Sequence, residues 1–360
     1  MKVANPYIFK IKPYIPGKPI DEVKRELGLK SVIKLASNEN PYPPSPKVLA
    51  AMAKAALEVN RYPDGGCVLL RRILAKKFNV DEDQLILGNG SDEIITLAVK
   101  AFATQGDEVI IAKPSFLVYE IASTLSGARL HQVALKNFRY DLEAMKAKVN
   151  RRTKIIFIGN PDNPAGTYIT HAQAEDFLAS VPKSTLVFFD EAYFEYVQEK
   201  DYADSLALMK KYPNVMLTRT FSKIYGLAGL RIGYGIASRE IIDILNRLRE
   251  PFNVNSIAQA TAVAVLGDEA YYRNIVKDVN AQRQYLYRSL DSMGIAHEIS
   301  FTNFILVRVK GDSSQVAGAL LKKGVIIRDM AAWGLKGYLR VSIGSASENK
   351  RFIKTLGEIL

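Results

Sequence analysis

The stretch Thr218-Arg-Thr-Phe-Ser-Lys-Ile-Tyr-Gly-Leu-Ala-Gly-Leu-Arg-Ile-Gly-Tyr-Gly235 places a lysine shortly after an apolar run. Residues 215–217 (Val-Met-Leu) predict a buried strand, and Lys223 follows it among hydroxyl side chains and glycines. Arg231 precedes a second extended run. A lysine in this position can form an imine with a carbonyl compound while its neighbours hold an anionic group. This stretch alone leaves an alternative open, an exposed loop lysine beside a surface arginine.

The surrounding chain predicts an α/β fold with a mainly parallel central sheet and helices on both faces. Between residues 84 and 237, apolar strands alternate with amphipathic helices, which is typical of such sheets. After a long helix expected at 270–293, strands at 304–309 and 338–343 lie between helices and indicate a smaller α+β domain. Residues 1–35 look irregular apart from a short helix near 21–27. We therefore predict an N-terminal segment (1–40), a large domain (41–265) and a small C-terminal domain (266–360).

The composition is that of an ordinary globular protein. Of the 360 residues, 48% are hydrophobic and 24% are charged. No apolar run approaches the roughly twenty residues of a membrane-spanning helix, and the first residues lack the apolar core of a signal peptide. Cys67 is the single cysteine, so an internal disulfide is excluded and a cytoplasmic location is expected. Three histidines without HExxH or CxxC spacing argue against a zinc site.

The formal net charge of +12 raises nucleic-acid binding as an alternative of another class. The basic residues are scattered along amphipathic helices, and no basic tail or aromatic platform accompanies them. A solvated surface that attracts anionic small molecules explains the charge better.

Besides the loop that contains Lys223, three features follow predicted strands. Ligands of parallel sheets bind at the carboxyl ends of the strands, where these features lie. Residues 88–93 (Gly-Asn-Gly-Ser-Asp-Glu) offer backbone amides and Ser91 to a phosphate at a helix N-terminus, with a capping box as the alternative. Residues 160–166 (Asn-Pro-Asp-Asn-Pro-Ala-Gly) form a rigid loop that would orient Asn163, unless this is a plain turn.

The third feature is the run 188–193 (Phe-Phe-Asp-Glu-Ala-Tyr). A carboxylate at the end of an apolar strand is costly to bury without a cationic partner, and a protonated ring nitrogen would serve Asp190. Tyr193 is close enough to reach a phenolate oxygen of the same ligand, and Glu191 is expected to play a supporting role. A phosphate cradle, a carboxylate, a phenol and an imine-forming lysine are together the protein groups that pyridoxal phosphate requires.

The sequence resembles the fold-type I pyridoxal-phosphate aminotransferases nearly from end to end, and within them the histidinol-phosphate branch. The motifs that carry the resemblance are Tyr14-Ile-Pro-Gly-Lys-Pro19, Leu35-Ala-Ser-Asn-Glu-Asn-Pro41, Arg61-Tyr-Pro-Asp64, Gly88-Asn-Gly-Ser-Asp-Glu93, Asn160-Pro-Asp-Asn-Pro-Ala-Gly166, Asp190-Glu-Ala-Tyr193, Thr220-Phe-Ser-Lys223, Gly229-Leu-Arg231, Phe252-Asn-Val-Asn255 and Tyr338-Leu-Arg340. The first two motifs are those that point to the histidinol-phosphate branch.

The resemblance implies pyridoxal 5'-phosphate as cofactor and a role for each matched residue. Lys223 would form the imine and shuttle the proton, while Asp190 would keep the pyridine nitrogen protonated. Tyr193 and Asn163 would bind the phenolate oxygen. The residues expected against the cofactor ring or its phosphate are Phe116 for the ring and Ser91, Asp92 (through its amide), Thr220, Ser222, Arg231 and the partner subunit's Tyr62 for the phosphate.

The implied reaction is transamination between L-histidinol phosphate and 2-oxoglutarate, in a homodimer whose active site lies at the subunit interface and whose N-terminal segment packs with the small domain and the partner. Arg340 would bind the substrate's anionic group, assisted by Arg328, Tyr14 and Asn163. An aromatic-amino-acid aminotransferase and a phosphothreonine decarboxylase are alternatives of the same fold.

Two positions depart from the family pattern. Ala165 stands where threonine is usual, and we expect little loss of function from it. Asp162 stands where asparagine is common, and its added negative charge is expected to influence substrate preference.

Overall fold

The computed structural model describes residues 3–13 and 17–360. In this part of the chain the strands are β1 (Ile33–Leu35), β2 (Leu85–Gly88), β3 (Glu108–Lys113), β4 (Arg129–Ala134), β5 (Thr153–Gly159), β6 (Leu186–Asp190), β7 (Val215–Thr220), β8 (Gly233–Ile236), β9 (Phe304–Arg308), β10 (Val325–Asp329) and β11 (Tyr338–Ser342). The α-helices are α1 (Ile20–Leu27), α2 (Pro46–Ala56), α3 (Val68–Phe78), α4 (Ser91–Phe102), α5 (Leu117–Leu125), α6 (Leu142–Lys146), α7 (His171–Ser180), α8 (Ser205–Lys211), α9 (Arg239–Asn246), α10 (Ser256–Leu266), α11 (Glu269–Ser292), α12 (Ser313–Lys322) and α13 (Ala346–Gly357).

Seven of these strands form the central sheet, in the order β2-β8-β7-β6-β5-β3-β4. The pairs among β3, β4, β5, β6 and β7 are parallel, and only β8 runs against its neighbours β2 and β7. Along β5 and β6, alternate side chains enter two separate apolar cores: Ile156 and Phe189 lie in one, Phe157 and Phe188 in the other. A sheet buried on both faces confirms the predicted α/β class.

A second, smaller sheet has the order β1-β10-β11-β9. The prediction that residues 1–35 are irregular was wrong at β1, where Ile33 pairs with Val325 in a parallel ladder. Strand β10 was not predicted either. A three-residue strand has too few residues to show alternation, and its partner lies at the other end of the chain, so no local pattern could reveal the pairing. The domain boundaries at residues 40 and 265 stay a prediction.

The local predictions were accurate where the amphipathic period was clear. Helix α11 covers the predicted helix 270–293 to within one residue at each end, and β9 and β11 begin at the predicted residues 304 and 338. Ser45 accepts a hydrogen bond from the Val48 amide and caps α2. Helix α2 ends at Ala56, and exposed turn residues follow it at 57–60.

The order of the central strands gathers the chemically interesting loops at one edge of the sheet. Strands β5, β6 and β7 are neighbours and parallel, so the loops after them emerge side by side. Strand β2 ends at the same edge of the sheet. Gly88 of β2 and Thr220 of β7 both pair with Gly233 of β8, which lies between these two strands and runs antiparallel to both. A side chain at Gly233 would come within 2.6 Å of the Ser91 amide nitrogen, so glycine allows this close approach.

Candidate active site

A cavity of about 270 Å³ lies at this edge of the central sheet, and residues of the smaller sheet also line it. The predicted site residues that line it are Ser91, Asp92, Phe116, Asn163, Asp190, Tyr193, Thr220, Ser222, Lys223, Arg231, Arg328 and Arg340. The fold thus brings together side chains that the sequence spreads over 250 positions, from Ser91 to Arg340.

Hydroxyl groups, a helix N-terminus and a guanidinium make up one part of the cavity wall. Helix α4 begins at Ser91 after Gly90, and no side chain caps it, so the capping-box alternative with Ser91 or Asp92 as the cap is wrong. The Ser222 amide donates to Thr220 Oγ1 (3.1 Å). Amides at a helix N-terminus favour anions, and this group of donors fits a phosphate.

Arg231 supplies the positive charge of this group. Its backbone lies in the left-handed region (φ 55°), and its guanidinium contacts Asp92 Oδ2 (3.2 Å) and Ser222 Oγ (3.5 Å). A side chain at Gly90, where φ is 78°, would meet this guanidinium at 2.5 Å. The glycine at position 90 therefore leaves the space that Arg231 occupies beside the start of α4.

Asp190 ends β6 with its carboxylate buried in the cavity wall. The Tyr119 hydroxyl donates to Asp190 Oδ2 (2.6 Å), whereas Oδ1 is buried and has no hydrogen-bond partner among the described residues. Burial raises the pKa of Asp190 to about 6, against the opposing effect of the Tyr119 hydrogen bond. A cationic hydrogen-bond donor in the cavity would satisfy Oδ1 and favour the ionised carboxylate.

Lys223 lies next to the phenol of Tyr193, with Nζ 5.6 Å from the centre of the ring. The Tyr193 hydroxyl accepts from Asn38 Nδ2 (2.9 Å) and from Asn163 Nδ2 at a longer distance (3.4 Å). The amine, the phenol and the two amides belong to four different loops of the chain, those that follow β7, β6, β1 and β5. Their meeting here follows from the adjacency of β5, β6 and β7 together with the approach of the smaller sheet.

The smaller sheet contributes two arginines to the cavity. Arg328 on β10 and Arg340 on β11 are directly paired across the antiparallel ladder, so both side chains lie on the same face of the sheet. Arg340 donates to Asn163 Oδ1 (2.5 Å) and to the Ala36 carbonyl oxygen (3.2 Å), and the Arg328 guanidinium lies 5.4 Å from the Trp333 ring. The two guanidinium groups give the cavity a second cluster of positive charge, of the kind that suits phosphate or carboxylate groups.

Two predicted site residues do not line the cavity. Tyr62 is 82% exposed and stacks on Phe252 (centroids 4.7 Å apart) in a separate surface groove. Tyr14 lies outside the described residues. For Tyr62 a contact with the cofactor within one subunit is therefore excluded, whereas the predicted contact from a partner subunit stays a prediction.

The two departures from the family pattern are both buried. Asp162 accepts hydrogen bonds from the Ala165 amide (3.0 Å) and the Tyr140 hydroxyl (3.2 Å), and Ala165 is fully buried. Burial raises the pKa of Asp162 to about 7. At neutral pH its carboxyl group is thus partly protonated, so it carries less negative charge than an exposed aspartate would.

Sequence analysis missed several residues of the site. Tyr119, Asn38 and Trp333 line the cavity, and the first two hydrogen-bond to Asp190 and Tyr193. Asn38 belongs to a motif that carried the family resemblance, which was a signal that could have assigned it. Tyr119 had no such signal, since on the amphipathic helix α5 it looks like an ordinary core residue.

No helix of residues 3–13 and 17–360 combines the length and apolar character needed to cross a membrane. The same residues contain no cluster of three His, Cys, Asp or Glu side chains that could hold a metal ion.

Comparison with known proteins agrees with this geometry. The family model described as aminotransferase class I and II matches residues 30–356. A histidinol-phosphate aminotransferase of Moorella thermoacetica is 48% identical over 98% of this chain and 92% of its own length. Another, of an Anaeromyxobacter species, is 45% identical over the whole of both chains.

Solved structures give the same result. The histidinol-phosphate aminotransferase of Sinorhizobium meliloti, solved in complex with pyridoxal-5'-phosphate, superposes with a TM-score of 0.91 at 27% identity, covering 100% of this chain and 99% of that one. An aspartate aminotransferase of Thermus thermophilus shares the fold (TM-score 0.86) at 19% identity over 100% of both chains. On these grounds the chain belongs to the aminotransferase class I and II family, and within it to the histidinol-phosphate aminotransferases.

Proposed function

We propose that this protein is a pyridoxal-phosphate-dependent aminotransferase that transfers the amino group of L-histidinol phosphate to 2-oxoglutarate, with imidazole acetol phosphate and L-glutamate as products. The substrate is suggested by the names of the relatives at 45–48% identity. The observation that carries the proposal is the buried Asp190 Oδ1, which lacks a partner in the cavity that also contains Lys223 and Arg231.

Pyridoxal phosphate, when bound, supplies an aldehyde that condenses with amines and a protonated ring that withdraws electrons. The residues of the cavity fit this group. Asp190 Oδ1 would accept from the ring nitrogen, and the donors at the start of α4 with Thr220, Ser222 and Arg231 would hold the phosphate. Tyr193 and Asn163 would bind the phenolate oxygen, and Phe116 would cover the ring.

Lys223 would carry the covalent link and then move the proton between carbon atoms of substrate and cofactor. Its Nζ lies 5.6 Å from the centre of the Tyr193 ring, and both side chains line the cavity. Positioned proton transfer of this kind typically accelerates a reaction by about 10²–10⁴-fold.

Arg340 and Arg328 would bind an anionic group of each substrate. This group is a phosphate in one half-reaction and a carboxylate in the other. Both anions accept two parallel hydrogen bonds from a guanidinium. Arg340 is buried and already bonded to Asn163 and Ala36, so its guanidinium is held in a defined orientation. Tyr14, which is predicted to assist, lies outside the described residues.

We expect histidinol phosphate to be the preferred amino donor. In steady-state kinetics with 2-oxoglutarate, its kcat/KM should exceed that of phenylalanine, tyrosine and aspartate by at least about 100-fold, because both guanidinium groups engage the dianionic phosphate. Lys223→Ala should abolish turnover, and borohydride treatment should fix the cofactor to the peptide containing residue 223 in the wild-type protein only.

Two results would contradict the proposal. Equal kcat/KM for an aromatic amino acid would favour an aromatic-amino-acid aminotransferase, and carbon dioxide release from phosphothreonine would favour a decarboxylase. A wild-type protein that does not bind pyridoxal phosphate would reject all three activities.

We also propose that the protein is a homodimer whose active sites include Tyr62 of the partner subunit. The support is a surface on which large apolar side chains are exposed around the Tyr62–Phe252 stack. The large apolar side chains of this groove are Val59, Tyr62 and Phe252, which are 58%, 82% and 45% exposed. Burial of such a patch against a second copy would be favourable.

A cytoplasmic location is also proposed. It is supported by the single cysteine and can be tested by cell fractionation.

Mixing two inactive variants tests the shared site. A Lys223→Ala subunit retains Tyr62, and a Tyr62→Ala subunit retains Lys223, so one site of each hybrid dimer is complete if Tyr62 acts across the interface. After dissociation and reassociation at limiting cofactor, about a quarter of the wild-type activity should return, since random pairing makes half of the dimers hybrids. No gain on mixing, or a monomer in sedimentation, would reject the proposal.

The departure at Asp162 should make stability depend on pH. The pKa of Asp162 in the folded protein is about 7, which lies above the pKa of an aspartate in an unfolded chain. The free energy of unfolding therefore falls as the pH rises from the unfolded pKa to the folded one. Asp162→Asn removes this loss. The variant should therefore melt a few degrees higher than the wild type at pH 8, with a smaller difference at pH 5.

The matched control is Asp243→Asn, because Asp243 pairs with Arg247 on the exposed surface of α9. The difference in melting temperature between Asp243→Asn and the wild type should be the same at pH 5 and at pH 8. If the melting temperature of Asp162→Asn also differs from that of the wild type by the same amount at pH 5 and pH 8, the buried carboxyl group does not titrate in this pH range. The predicted influence of Asp162 on substrate preference can be measured on the same variant.

A further inference from the structure

Asn38 holds the hydroxyl of Tyr193 from the side of the smaller sheet, and no role had been assigned to it. We propose that Asn38 is a positioning residue that makes Tyr193 a hydrogen-bond donor toward the phenolate oxygen of the cofactor. This inference rests on the proposed function. The hydrogen bonds around the Asn38 side chain determine where the Tyr193 hydroxyl can donate its proton.

The backbone at Asn38 is fixed in an unusual conformation. Its φ is 53°, in the left-handed region, and the residue is 2% exposed. The Asn38 amide donates to Ser342 Oγ (2.8 Å), and the Asn38 carbonyl oxygen accepts from Asn303 Nδ2 (3.0 Å). Asparagine tolerates this region better than most residues do, and the two contacts with the smaller sheet offset the remaining strain.

The same neighbours determine which way the Asn38 amide group points. The Ser342 hydroxyl accepts from the Asn38 backbone and donates its proton to Asn38 Oδ1 (3.2 Å). Because Oδ1 is occupied by this donor, the Nδ2 group is turned toward the Tyr193 hydroxyl, 2.9 Å away. Asn38 can therefore act on Tyr193 only as a donor.

Tyr193 receives a second donor, Asn163 Nδ2, at 3.4 Å. A phenol oxygen has two acceptor positions and one proton. Since both acceptor positions face amide groups, the proton has to be donated elsewhere, and Tyr193 lines the cavity with 4% of its surface exposed. Asn163 is itself bonded through its oxygen to Arg340, so neither amide can turn to accept the proton.

A donor to the phenolate oxygen lowers the basicity of that oxygen. Loss of the donor makes the oxygen a stronger base, so the protonated chromophore of the bound cofactor keeps its proton to higher pH. Asn38 should thus influence the pKa of the bound cofactor although it touches Tyr193 and not the cofactor. A residue with a merely structural role would change stability but would leave this pKa unchanged.

The test is the pH titration of the visible absorption of the holoprotein. Asn38→Gly removes the amide and suits a positive φ, so the backbone is not strained. We expect the midpoint of the titration to rise by about 0.5–1 pKa unit in this variant, which corresponds to the net contribution of one typical hydrogen bond. In a Tyr193→Phe background the same substitution should shift the midpoint by less than about 0.2 pKa units, because phenylalanine has no hydroxyl proton for Asn38 to direct.

Asn38→Asp is the second variant, should the glycine variant not fold. Its carboxylate would draw the Tyr193 proton to itself, so the midpoint should rise further in the presence of Tyr193 than in the Tyr193→Phe background. Equal shifts in the two backgrounds, or no shift, would overturn the role of Asn38 while leaving the function intact. Absence of the absorption band from the wild-type protein would overturn the function and this role together.

Discussion

The carboxylate of Asp190 at the end of β6 is the constraint on which the site depends. Taking a carboxylate out of water costs several kcal/mol unless charge and hydrogen bonds replace the solvent. Tyr119 satisfies one oxygen at 2.6 Å, and the other oxygen is left without a partner among the described residues. The resulting pKa of about 6 indicates that the protein alone does not fully support the ionised form. A cationic ring nitrogen is the chemical group that completes this arrangement.

The rest of the cavity is arranged so that such a ring can be held in one orientation. The anion-binding groups around Arg231 and the start of α4 lie in one part of the wall, and Tyr193 with Lys223 lies in another. Arg328 and Arg340 approach from the smaller sheet, already paired in register. The site is therefore built from both sheets, and the hydrogen bonds Arg340–Asn163 and Asn38–Tyr193 connect them directly.

The sequence predicted those features whose signal is local. Asp190 and Lys223 follow apolar strands, and the glycines near Ser91 follow a strand and precede a helix, so each could be recognised within about ten residues. The roles of Arg340 and Arg328 depended on family resemblance, because an arginine near a strand end is otherwise an ordinary surface charge. Strand β10, on which Arg328 lies, was missed even so.

What could not be predicted depends on contacts between distant parts of the chain. Tyr119 supports Asp190 only because its ring, on α5, stacks on Phe157 of β5 next to the end of β6. Asn38 reaches Tyr193 only because Ser342 and Asn303 hold its backbone. Tyr119 does not differ in its own sequence neighbourhood from a core tyrosine, and the motif around Asn38 marks the residue without revealing its contact with Tyr193. Nonlocal pairing also explains why β1 was assigned to an irregular segment, since its partner is Val325 and the residues after it.

The central claim, that Asp190 keeps a cationic ring nitrogen in the cavity, is tested most directly by nitrogen NMR of the holoprotein with pyridoxal phosphate labelled with ¹⁵N in the ring. If Asp190 holds this proton, the wild-type holoprotein shows the chemical shift of a protonated pyridine nitrogen at pH 8, and Asp190→Asn shows the shift of an unprotonated nitrogen. An unprotonated ring nitrogen in the wild-type protein at that pH would contradict this claim.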